Sequence, residues 1–121
     1  MSAWVWVAVA AVGGLGALGR FTLDTAIGQR AGRDFPFGTF AINLSGAFVL
    51  GLLTGLAVQG ELLVIAGTAT IGSYTTFSTW MLESHRLAED MEHLRAAANV
   101  VLSLLIGFGA ALLGHAIGAA L

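Results

Sequence analysis

Cysteine is absent from the 121 residues, which excludes disulfides and thiolate-bound metals. Lysine is also absent. All five basic residues are arginines and the formal net charge is −2, so no basic patch points to nucleic acid. Proline occurs once, at Pro36, too rarely for collagen or a proline-rich disordered chain. Charged residues make up only 10% of the sequence, against about 25% in an average soluble domain.

Apolar residues fill most of the remainder, at 57%, with 17 glycines among them. Four stretches are nearly free of charge: Ala3 to Gly19, Phe37 to Val58, Leu62 to Leu82, and Ala96 to Leu121, the last holding only His115. A helix needs roughly 20 residues to cross the hydrocarbon core. Backbone groups in lipid must be satisfied within their own segment, so helices are expected. A β-barrel would show short alternating segments instead. The expected fold is an all-α integral membrane protein, one domain over 1–121, with spans near 3–20, 37–58, 62–82 and 96–120. The first stretch lacks a basic leader and three more follow it, so it reads as a span and not a signal peptide.

The connectors are Arg20 to Pro36, the turn Gln59-Gly60-Glu61, and Glu83 to Arg95. All five arginines (Arg20, Arg30, Arg33, Arg86 and Arg95) lie in the first and third. Taken alone, that asymmetry would put both termini outside.

Several signals have plain readings. Gly14-Leu15-Gly16-Ala17-Leu18-Gly19 matches a dinucleotide fingerprint in letters, but it lies inside a span with no preceding strand. Its glycines read as close helix packing, as do Gly51-x-x-x-Gly55 and Gly114-x-x-x-Gly118. His115 reads as reaching the interface, and Glu83, Glu89, Asp90 and Glu92 as a solvated face.

The third span is less ordinary. Gly72-Ser73-Tyr74-Thr75-Thr76-Phe77-Ser78-Thr79 places six hydroxyls in eight residues. Serine and threonine often bond back harmlessly to their own helix, and interhelical glue is the plain alternative. So dense a run after a glycine points to a broken or pore-lining helix, tolerated only where buried or facing a cavity. Asn43, with Thr39 one turn before it, is either a ligand or interhelical glue. Asn99 and Ser103 share one face of the fourth span. No span holds a carboxylate, a lysine or a mid-span arginine, whereas proton-coupled transporters depend on buried acids. A path lined by amides, hydroxyls and aromatic edges suits a small anion.

Three segments, in order, resemble the signatures of the Fluc/CrcB fluoride channels. They are Gly13 to Phe21, Pro36 to Phe48, and Gly72 to Trp80. The resemblance implies an antiparallel dimer in a bacterial inner membrane, exporting fluoride passively through two pathways, and not an enzyme. It implies a third helix broken near its middle. It places Asn43, Phe77, Ser78 and Thr79 on the fluoride path, with Trp80, Thr39 and Ser103 beside them. It implies a structural sodium ion at the dimer interface, held by the carbonyls of Gly72 and Thr75, with Arg20 as a vestibule cation. Two features depart from the family pattern. Trp80 stands where phenylalanine is usual, and the five-to-zero arginine split is unlike a dual-topology subunit. A homodimer is expected, with a heterodimer of oppositely oriented partners as the alternative. The runner-up function is a small dual-topology multidrug or guanidinium exporter, whose mechanism requires a glutamate that this first span lacks. A non-transporting membrane subunit is a third reading, against which the hydroxyl density argues.

Overall fold

The apolar pattern ends the first span near residue 20, but helix α1 runs Ala3–Ala31 in the computed structural model, which describes residues 1–121. Nothing in Arg20 to Ala31 stops a helix, since Gly28 alone costs only about 1 kcal/mol. Gly32 does stop it. It adopts φ 79°, a left-handed value suited to glycine, and its N–H bonds to the Gly28 carbonyl at 3.1 Å. The connector therefore shrinks to Gly32–Pro36, braced by an Arg33–Asp24 ion pair at 3.5 Å. Pro36 precedes the first turn of α2, Phe37–Gly55, where its missing N–H is harmless.

α2 packs along α6, His93–Ala120. A Cβ on Gly51 would strike the Ala111 carbonyl, and one on Gly114 would strike the Phe48 carbonyl. Gly55 and Gly118 continue the same seam, so the two spaced-glycine motifs are helix-packing faces. In α1, a Cβ on Gly16 would strike the Thr70 carbonyl, while Gly14 has open space on its Cβ side. Only part of the glycine run in α1 is therefore a packing face.

The third apolar stretch is not one helix. It comprises α3 (Gly60–Leu63), a π-helical segment (Val64–Ile71), α4 (Gly72–Tyr74) and α5 (Ser78–Glu89). The π turn is widened by one residue, and Thr70 Oγ1 donates into it at the Ile65 carbonyl, 2.8 Å away. Thr75 is extended, at φ −81° and ψ 163°, and breaks the rod between Tyr74 and Ser78. α5 carries the chain into a tight corner at Met91, φ 62°, and back into α6.

α1, α2 and α6 are each long and apolar enough to cross a membrane. Only 13 of 121 residues are buried, while Trp4, Phe108 and Leu105 are more than half exposed. So much outward apolar surface requires lipid, not water, around it.

Candidate functional site

Helix α2 repairs the break in the third stretch. Asn43 Nδ2 donates to the Thr76 carbonyl and its Oδ1 accepts from the Thr76 N–H, both at 2.8 Å. One side-chain amide thus replaces the helical partners that Thr76 gives up. Two consequences follow. The second Nδ2 hydrogen of Asn43 stays uncommitted. The Gly72 carbonyl loses the donor that a continuous helix would supply from Thr76.

Around this brace lies a groove of about 490 Å³, whose lining includes Asn43, Thr75, Thr76, Phe77, Trp80 and Ser103. Phe77 and Trp80 meet edge to face, with ring centroids 5.8 Å apart and planes at 82°. Phe77 is 70% exposed, so the groove is open along one side. Ser103 Oγ is buried without a hydrogen-bond partner. Asn43, Phe77, Trp80 and Ser103, predicted from three different spans, thus come together.

Thr39, Thr79 and Arg20 do not join them there. They line a second cavity of about 160 Å³ with Asp24 and Thr76. Thr76 borders both cavities. Its hydroxyl also accepts from the Thr79 N–H at 3.2 Å, capping the start of α5. Ser78 is exposed and lines neither cavity. Arg20 Nη1 donates to the Thr75 carbonyl at 3.4 Å, so this cation sits against the broken backbone.

Three residues carry more than their sequence context indicated. Glu83 belongs to the face read as solvated, yet its Oε1 is buried without a partner. Burial pushes its carboxyl above the usual range, offset in part by the neighbouring Thr39 hydroxyl. Its position three residues after Trp80 was the available signal. His115 Nδ1 lies 3.2 Å from Thr54 Oγ1. That hydroxyl already donates to the Gly51 carbonyl, so the imidazole is the donor and ties α6 to α2. Asn99 is fully buried between α5 and α6.

The Gly72 and Thr75 carbonyls suit a hard cation in kind, being unwound backbone oxygens. Gly72 has been freed by the Asn43 brace, and Thr75 holds only the long contact to Arg20. Arg20 and a bound cation would therefore share one acceptor.

At 52% identity over 92% of this chain and 91% of its relative, the sequence is similar to "Fluoride-specific ion channel FluC 2" of Mycolicibacterium paratuberculosis. A Mycobacterium bovis protein of the same description is 47% identical over 92% of this chain and 88% of its own length. "Fluoride-specific ion channel FluC 1" of Symbiobacterium thermophilum is 42% identical over 93% and 96%. Residues 7–115 match the family described as "CrcB-like protein, Camphor Resistance (CrcB)", and the chain therefore belongs to the CrcB family.

Proposed function

We propose that this chain is a passive, fluoride-selective channel of a bacterial plasma membrane, built as a single four-span domain. The observation that carries the reading is the groove at the helix break, where an uncommitted amide N–H, a buried hydroxyl and two aromatic rings converge. Fluoride is small and tightly hydrated. Removing its water in a low dielectric costs on the order of tens of kcal/mol unless other donors replace it. Asn43 and Ser103 supply such donors, and the rings offer their positive edges. The second cavity, with Thr39, Thr79 and Arg20, continues the path toward water, and its guanidinium attracts anions. The exporter alternative lacks support. The relatives named above are described as fluoride channels, and α1 has no carboxylate before Asp24.

The active form is an antiparallel dimer. A groove that carries the uncommitted Asn43 N–H and the unpartnered Ser103 hydroxyl among apolar side chains does not persist open to lipid, where unsatisfied groups cost several kcal/mol each. A second copy closes it. The Gly72 and Thr75 carbonyls hold a structural sodium ion between the subunits, which supplies a fixed positive charge near the path.

The test is fluoride efflux from liposomes containing only this chain. Fast release without a proton gradient, with chloride far slower, is expected. Equal release of both ions, or strict dependence on a proton gradient, refutes the channel. A C-terminal tag tests the assembly separately. Access from both faces of the membrane fits an antiparallel homodimer, and access from one face alone refutes it.

A further inference from the structure

Asn99 sits in an apolar run of α6 with no exposure at all. Its Oδ1 is buried without a donor, a state that leucine at this position would avoid. The other contacts of the residue explain its presence. Its Nδ2 donates to Ser84 Oγ at 2.8 Å and lies 3.4 Å from the Trp80 carbonyl. Ser84 Oγ in turn donates to the Trp80 carbonyl at 2.9 Å. The Ser84 hydrogen is thereby engaged, so its oxygen is left to accept from Asn99, which settles which way the amide faces. In the opposite direction, the Trp80 indole N–H donates to the main-chain carbonyl of Asn99 at 2.9 Å, an acceptor that any residue at this position would present. The Asn99 side chain therefore holds the main chain of α5 at Trp80 and the hydroxyl of Ser84, and the register it fixes brings the main-chain carbonyl of residue 99 to the indole N–H.

This lock determines what Trp80 shows to the groove. Indole has a single N–H, and it is turned into α6. The ring stays edge to face against Phe77, so only carbon-bound hydrogens remain for the path. A free indole N–H would be a full-strength donor to any anion, chloride included. We infer that Asn99 is a positioning residue for the ion path: its side chain fixes the register of α5 on α6, so that the main-chain carbonyl of residue 99 takes the Trp80 N–H and the ring edge, not the N–H, faces the groove. The inference rests on the channel reading for its consequence, anion discrimination, but not for the lock itself.

The experiment uses the chain carrying Trp4→Phe and Trp6→Phe, which leaves Trp80 as its only tryptophan. The full-length protein is reconstituted in lipid vesicles. Time-resolved fluorescence anisotropy reports rotation of the indole, and parallel efflux assays report fluoride and chloride. In Asn99→Leu a fast rotational component is expected, absent from the parent. The ratio of fluoride to chloride flux should fall at least about tenfold. In the Trp80→Phe background the same Asn99→Leu change should alter the ratio less than about twofold, because no N–H needs tethering. Asn99→Leu keeps the main-chain carbonyl, so unchanged indole rotation would show that the amide side chain does not set the register, and overturns its positioning role. An equal loss of selectivity in both backgrounds overturns its role at the path and leaves Asn99 as packing. Should Asn99→Leu fail to fold, Ser84→Ala removes the 2.8 Å partner and should loosen the indole in the same direction; no loosening there also overturns the lock. If the parent moves no fluoride, the channel reading fails while the anisotropy still decides the lock.

Discussion

Replacing Asn43 by leucine keeps the approximate volume of the side chain and removes both bonds to Thr76. Each partner stranded in a partly buried site costs about 1–3 kcal/mol, so the pair is worth about 2–6 kcal/mol if nothing relaxes. One relaxation is available. The Thr76 N–H can return to the Gly72 carbonyl, restoring a helical bond at the expense of the break. That halves the loss to about 1–3 kcal/mol but withdraws the Gly72 oxygen from any cation. Transport falls on either course, because the uncommitted amide hydrogen is gone. A donor worth about 1–3 kcal/mol in the barrier corresponds to roughly 5- to 150-fold slower fluoride release. Asn43→Asp separates the two roles. It still accepts from the Thr76 N–H, so it should melt above Asn43→Leu. It offers the path a negative charge and no donor, so it should not conduct. The assay is electrode-monitored efflux from liposomes, normalised to folded protein, with thermal unfolding in detergent alongside. An Asn43→Leu protein with parental melting temperature and flux within about twofold of parental would falsify the brace.

Gly51→Val should destabilise the fold by at least about 2 kcal/mol, since its side chain has only the Ala111 backbone to displace; Gly14→Ala, with open space around it, should melt like the parent. Equal melting of the two variants would contradict the α2–α6 seam. Glu83 provides a pH test. Its carboxyl is raised above 4.5, first by burial, so the folded state binds its proton more tightly than the unfolded state. The stabilisation from that proton is complete below the unfolded value and is lost as pH rises through the folded one. Glu83→Gln should flatten this part of the stability–pH curve measured by thermal melting. A curve unchanged by the substitution would place Glu83 in water.

A lipid-embedded helical chain followed from composition alone. Spans of this length without charge have one way to satisfy their backbone, and spaced glycines mark where helices touch. The break at Thr75 was foreshadowed by the hydroxyl run, because a broken helix needs local groups to occupy its freed backbone. Three features depended on tertiary structure. α1 extends past Arg20 because only Gly32 takes the left-handed stop, and apolar content says nothing of where a helix ends once it leaves lipid. The predicted polar residues divide between two cavities. Membership depends on how each helix is rotated against its neighbours, which spacing within one helix does not encode. The Asn43 brace joins residues 33 apart in sequence, and the Trp80–Asn99 lock joins residues 19 apart. Amide, indole and hydroxyl are each visible as letters. Which of their hydrogens face the path, and which are consumed in holding it open, was decided only when four separate segments packed together.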